Sequence, residues 1–162
     1  MQNVRDFVFQ HFSTQYKVFD SERPGAEELR FRQLSMVESV SLTHPFTLEE
    51  VKQTVWDCDC FKSPGPDGIS FGFLKQFWPE LKDDFMRFVL EFHRNGRLTK
   101  GVNATFISLI PKVDNPQWLN DFRPISLVGC VYKVLAKILA NRLQVVLGSV
   151  VPDPQSAFVK GK

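Results

Sequence analysis

Two cations are set so that they could act together. Lys112 leaves a short apolar run, Thr105-Phe106-Ile107-Ser108-Leu109-Ile110, and Arg123 opens a second β-like piece, Phe122 to Leu127. The first run is rich in β-branched and aromatic residues and is stopped by Pro111, which predicts a buried or half-buried strand. A polar loop with the turn-forming Asp114-Asn115-Pro116 lies between the two pieces. Paired as a hairpin with a long exposed tip, they would bring both cationic side chains to one end of the strands. An ammonium and a guanidinium so placed form a clamp for a polyanion, the planar Arg fork matching phosphate or carboxylate geometry.

Further cations follow in the next element. Leu127, Val131, Val134, Leu135, Ile138 and Leu139 recur at three- and four-residue spacings, which predicts an amphipathic helix to about Val146. Lys133, Lys137 and Arg142 lie away from that apolar stripe, and Lys133 and Lys137 share a face one turn apart. Two readings of that face stand: solvated charge, or a track for phosphates. The net charge is only +2, but it is unevenly spread. From Thr105 onward there are seven Lys or Arg against three Asp; the residues before it hold thirteen against fifteen acids. The basic character sits in the C-terminal third, where an anionic partner would bind. Upstream, Phe61-Lys62-Ser63-Pro64-Gly65-Pro66-Asp67-Gly68-Ile69 carries two prolines that fix φ and two glycines that permit positive φ, so it reads as a fixed, turn-rich loop. It is either a connector or a rigid loop that brings backbone donors and Lys62 near a bound strand.

Other chemistries are weakly supplied. Asp83-Asp84 falls in the first turns of an expected helix, where acids complement the dipole, rather than in a convergent two-metal arrangement. Cys58, Cys60 and Cys130 form neither an even disulfide set nor a four-ligand zinc pattern, and read as free intracellular thiols. Glycine-rich phosphate loops, nucleophile elbows and His-Glu-x-x-His patterns are absent, and His11, His44 and His93 are dispersed. No catalytic and no metal-binding residue is assigned. No apolar run approaches a membrane span and no signal-peptide pattern opens the chain, so an intracellular protein without membrane contact is expected. The oligomeric state is not readable.

The elements that must hold these residues can be read in order. The 162 residues, 43% hydrophobic, suit one domain or one lobe of something larger. Val4, Phe7, Val8, His11 and Phe12 predict a helix over Met1 to Lys17, and Phe19 to Leu34 reads as a solvated linker. Thr47-x-x-Glu50 fits a capping box with Phe46 and Val51 as hydrophobic staple, starting a helix to about Cys58 that buries Leu48, Val51 and Val55. Phe71 to Trp78 is expected as a helix, and Pro79 opens another to about Arg94 with Phe85, Phe88, Val89 and Phe92 inward and Asn95-Gly96 as stop. Val150 to Phe158 reads as a rigid, extended tail.

KSPGPDGIS at 62–70, FISLIPKVDNPQWLNDFRPISL at 106–127, VYKVLAKILANRL at 131–143 and DPQSAFVKGK at 153–162 together resemble the N-terminal part of non-LTR (LINE-type) retrotransposon reverse transcriptases, plant members in particular. The four blocks stand in the family's order across Leu48 to Lys162. The resemblance implies an α+β, predominantly helical fold: the fingers and palm edge of a right-hand polymerase, with a β-hairpin around residues 104–127. It implies a division into a preceding segment, 1–45, and a reverse transcriptase domain, 46–162. In that family the lysine and arginine matching Lys112 and Arg123 contact the incoming nucleotide's triphosphate. Lys62, Asp67, Lys133, Lys137, Arg142 and Lys160 are expected nearer to nucleic acid. The implied partners are an RNA template, a DNA primer and a dNTP. The family's catalytic aspartates belong to later palm blocks that these residues do not contain, so the expectation is a truncated enzyme inactive alone, with no cofactor of its own and Mg²⁺ only in a full-length enzyme. A non-catalytic nucleic-acid-binding or protein-interaction module derived from such an enzyme is the alternative.

Overall fold

Helix starts in this protein are set by short polar side chains just ahead of apolar runs. The computed structural model describes residues 2–17 and 32–151. Ser35 caps α2 (Met36–Thr43), Thr47 caps α3 (Leu48–Trp56) and Ser70 caps α4 (Phe71–Gln76), each accepting a hydrogen bond from the backbone N–H three residues on. Before them lies α1 (Gln2–Gln15); after them come α5 (Trp78–Asn95), β1 (Thr105–Pro111), β2 (Phe122–Val128) and α6 (Cys130–Val150). Helix α5 has Pro79 in its first turn and ends at Gly96, whose φ of 63° is the left-handed stop the sequence announced. The expected class, α+β and mostly helical with one hairpin, is what forms. No helix among the described residues is long and apolar enough to cross a membrane.

Several elements differ from expectation for physical reasons. Helix α2 was not anticipated, although Ser35-x-x-Glu38 forms a reciprocal capping box at its start. At α3 only half of the expected box forms: Thr47 Oγ1 accepts from the Glu50 N–H at 3.2 Å, but the Glu50 carboxylate turns to Arg142 instead. Leu127, counted in the helical stripe, belongs to β2, because α6 starts only after Gly129. Helix α6 then runs to Val150, past the expected end near Val146. Val150, expected to open an extended tail, ends this helix instead; the tail from Pro152 onward and the DPQSAFVKGK block, with Lys160, lie outside the described residues.

Contacts group the chain into two compact units, one of Met1–Arg30 with Ile107–Ile125, the other of Phe31–Phe106 with Ser126–Lys162. The second holds a continuous core of Phe46, Val51, Val55, Phe71, Leu74, Trp78, Phe85, Val89, Val134 and Ile138, contributed by α3, α4, α5, α6 and the residue just ahead of the α3 cap. Helix α6 is its spine, packing against both α2 and α3. Its N-terminus lacks a cap of its own, since Gly129 has no side chain. Asp67 supplies one from the turn-rich loop: its Oδ2 accepts the Cys130 N–H at 3.0 Å, and its Oδ1 accepts the Ile69 N–H at 3.3 Å. A carboxylate there also faces the positive end of the helix dipole.

The loop can reach that position because two glycines let backbones touch. A Cβ on Gly65 would lie 2.3 Å from Gly129 N and 2.4 Å from Val128 C; one on Gly129 would lie 2.4 Å from Asp67 Oδ2. Gly68 differs: it closes a turn to the Gly65 carbonyl at 3.0 Å with φ +68°, but open space surrounds its missing Cβ. Gly65→Ala is therefore expected to cost about 3 kcal/mol or more through backbone displacement, Gly68→Ala about 1–2 kcal/mol of local strain, and Asp67→Ala about 1 kcal/mol as a lost cap. Denaturant unfolding of the three variants checks the order; equal losses at 65 and 68 would contradict the close-approach argument.

Candidate nucleic-acid interface

The first set of expected site residues sits on the hairpin. Equal strand lengths and the Lys112 N–H donated to the Asp121 carbonyl at 2.7 Å set the register, with Lys112 opposite Asp121 and Ile110 opposite Arg123. Because side chains alternate, Lys112 and Arg123 fall on the same face as diagonal neighbours at the tip end. Phe106, Ile110 and Ile125, all exposed, continue that face toward the base. The first strand, expected buried or half-buried, is half-buried at Ser108 and Leu109 and otherwise exposed, and no residue of either strand is fully buried in this two-stranded sheet.

The tip is held by one carboxylate. Asp121 Oδ2 accepts the Gln117 and Trp118 N–H groups, both at 2.9 Å, closing the chain ahead of a short 3₁₀ turn at Leu119–Asp121. Asn115 takes a left-handed φ of 60° in the preceding turn. Those two backbone donors, first Trp118 and then Gln117, with the Lys112 charge adding less, hold the Asp121 carboxyl below its ordinary range. Lys112 Nζ donates to the Asn120 carbonyl at 2.8 Å, which leaves two of its three N–H groups uncommitted. Arg123 is exposed and has no side-chain hydrogen bond or ion pair among the described residues.

The second set lies in the other unit, around α6. Lys133 Nζ donates to the Ser63 carbonyl at 2.8 Å and Lys137 Nζ to the Asp57 carbonyl at 2.9 Å. Asp57 is the C-cap of α3, so Lys137 meets the negative end of that helix. Lys62 joins them: Lys62, Lys133, Lys137, Tyr132 and Phe71 line one cavity of about 320 Å³. A separate apolar cavity of about 360 Å³, lined by Ile69, Leu74, Phe85 and Val131 among others, reaches the loop carrying Asp67.

Arg142 does something else. Its side chain is only 12% exposed and forms a bidentate pair with Glu50, both N–H···O distances being 2.7 Å. It also donates to the carbonyls of Leu42 at 3.1 Å, His44 at 2.5 Å and Pro45 at 3.4 Å, and its guanidinium lies 4.2 Å from the centre of the Phe46 ring. Five donors so engaged tie α6 to the α2–α3 connection and leave little for a phosphate. Asp67, as a helix cap, is likewise committed inside the fold. Sequence reasoning missed Glu50 as the Arg142 partner and Tyr132 as a cavity wall. The capping-box position had already spoken for Glu50, and nothing along the chain reveals Tyr132's neighbours.

No protein-family model matches the chain. Against proteins of known name, it is 36% identical over 121 residues to the "Transposon TX1 uncharacterized 149 kDa protein" of Xenopus laevis, a match covering 75% of this chain and 9% of that protein. It is 28% identical over 120 residues to the "Retrovirus-related Pol polyprotein from type-1 retrotransposable element R1" of Bradysia coprophila, covering 71% and 12%. The chain is homologous to non-LTR retrotransposon proteins. It spans about a tenth of the length of these two relatives. Neither comes from a plant, so the plant-like shade of the resemblance gains no support from them. The two matches each cover about three-quarters of the chain.

Two measurements check the local chemistry. Burial first, and then the Asp67 carboxylate, push the Cys130 thiol up to about 12, and Cys58 is buried with its thiol directed to the Thr54 carbonyl. Thiol titration of the native protein near neutral pH is expected to count one reactive cysteine, Cys60, and three after unfolding. Because the Asp121 carboxyl is depressed when folded, the tip bonds are in place above the ordinary carboxylate range and weaken as pH falls through its lowered folded value. Amide resonances of Gln117 and Trp118 followed in an acid titration are expected to move together below about pH 3.8, the ordinary aspartate value; independent or absent shifts would contradict the shared acceptor.

Proposed function

We propose that this chain is part of a non-LTR retrotransposon reverse transcriptase, an RNA-directed DNA polymerase, and supplies its fingers and the start of its palm. In this reading Lys112 and Arg123 hold the triphosphate of an incoming dNTP, while RNA template and DNA primer lie across the same protein. The observation that carries it is the pairing of the two cations on one face at the tip end of a hairpin, in a chain homologous to retrotransposon proteins. The chemistry asked of them is binding and orientation. Lys112 contributes a point charge with two remaining donors, and Arg123 a planar fork able to bridge two phosphate oxygens.

Mg²⁺ belongs to such a reaction, as the ion that neutralises charge on the phosphates. The described residues do not fit it: no three His, Cys, Asp or Glu side chains converge, and Asp84 pairs with Arg87 at 2.7 Å on an exposed helix face. No polymerisation step is assigned to this chain. Its own contribution ends at gripping the nucleotide. The lysine-lined cavity on α6 favours a second reading, a nucleic-acid-binding module without catalysis, and a protein-interaction module is the remaining one.

The test is triphosphate binding. By calorimetry, Lys112→Ala and Arg123→Ala are each expected to weaken dNTP affinity about tenfold, the low end for charge-assisted bonds at an exposed site. The matching deoxynucleoside should be insensitive to both. Unchanged dNTP affinity in the double variant would overturn the assignment.

A further inference from the structure

A two-stranded sheet has two outer edges, and here they are unequal. The Lys112 N–H bond to the Asp121 carbonyl sets which backbone groups point into the hairpin. The N–H groups of Phe106, Ser108 and Ile110 turn toward β2, so those of Thr105, Ile107 and Leu109 turn outward. On β2 the outward positions are Phe122, Pro124, Ser126 and Val128. Pro124 has no N–H; it stands where the ladder loses nothing and blocks the middle of that edge. Strand β1 has no such guard: Thr105–Pro111 carries no charge and no glycine, and its one proline is its last residue. Among the described residues no third strand joins the sheet, and Ile107 and Leu109 donate to no other segment. An open, uncharged edge flanked by exposed Phe106, Ile107 and Ile110 is a template for strand addition.

The strand that fits this edge is β1 itself. Laid antiparallel against a second copy about a two-fold axis at Ser108, Ile107 of each copy faces Leu109 of the other. Each such pair exchanges two N–H···O bonds, so the outward donors of Ile107 and Leu109 are all satisfied. Phe106 then lies opposite Ile110 of the second copy on one face, an aromatic–β-branched pair made twice. An axis at Ile107 would set Phe106 against Ser108, and one at Leu109 would set Phe106 against Lys112 and Ile107 against Pro111, which has no N–H to return. Charge permits the Ser108 register: Lys112 falls opposite Ala104, and the two Lys112 positions stand about 27 Å apart at the strand rise per residue. That is well beyond the screening length of about 8 Å at physiological salt. We infer that β1 is a self-association edge, through which two copies of this chain pair about Ser108 into a four-stranded sheet. A single strand pair buries less surface than stable complexes do, so a weak dimer is expected, with a Kd on the order of 100 μM. The inference does not depend on the proposed function.

The test is sedimentation velocity of the 162-residue chain at concentrations from well below to well above that value. Ser108→Lys and Ser108→Glu each set like charges against one another at the axis, and each is expected to weaken the dimer about tenfold or more. An equimolar mixture of the two variants brings opposite charges together and should associate again as a heterodimer. Recovery in the mixture means that both variants fold, so their separate failures report the junction. Leu109→Pro removes an outward donor that β2 does not use. It is expected to weaken the dimer about tenfold, for two bonds lost across the axis. Unchanged Gln117 and Trp118 amide resonances would show that the hairpin tip survives that change. A chain that stays monomeric throughout, or a mixture of the Ser108 variants that fails to associate, would overturn the inference. So would a dimer that all three variants leave intact, because it would be built on another face.

Discussion

The contact on which the larger unit depends is the meeting of the Gly65–Gly68 turn with the start of α6. A helix begun by glycine has no side chain for its exposed N–H groups, and Asp67 provides the missing acceptor from a loop more than sixty residues earlier. That reach exists only because Gly65 and Gly129 allow backbone and carboxylate to approach within distances a Cβ forbids. The contact fixes where β2 ends and α6 begins. It thereby fixes the phase of α6, and with it which side chains enter the core and which carry charge outward.

Helix α6 uses that phase fully. Cys130, Val134, Leu135, Ile138 and Val146 go inward, and the basic residues leave the stripe at heights that match carbonyls on neighbouring segments. Lys133 meets the turn-rich loop, Lys137 the end of α3, and Arg142 the α2–α3 connection. The result is graded. Arg142 is consumed by the fold, Lys133 and Lys137 are half consumed, and Lys62 is free to act on solvent or a ligand. One charged face thus serves as glue to graded degrees, set by how many donors each side chain has spent.

Much of this was legible along the chain, because it is local. The capped start of α3, the Pro79 start and Gly96 stop of α5, both strands and their polar tip follow from residues within a few positions of each other. The position of α2 was equally legible in Ser35-x-x-Glu38 and was passed over. What could not be read was tertiary choice. Glu50 had two suitable partners, the Thr47 N–H and Arg142, and only packing of α6 on α3 decides between them. Asp67 in a turn-rich loop looks like a turn residue or a ligand contact; nothing nearby reveals that it caps a distant helix. The hairpin strands reach no more than half-burial because a strand pattern states which residues could be buried, not whether a third strand or helix arrives to cover them.

The functional account rests on Lys112 and Arg123 acting as one anion-binding pair. The most direct measurement is an NMR titration of the chain with a dNTP, following the Lys112 Nζ and Arg123 Nε groups alongside the backbone amides. The account expects both side chains to shift along a single saturating curve, with backbone changes concentrated over residues 110–123. Shifts confined to residues 58–63 and 132–137, or side-chain shifts at Lys112 and Arg123 that saturate separately, would contradict it.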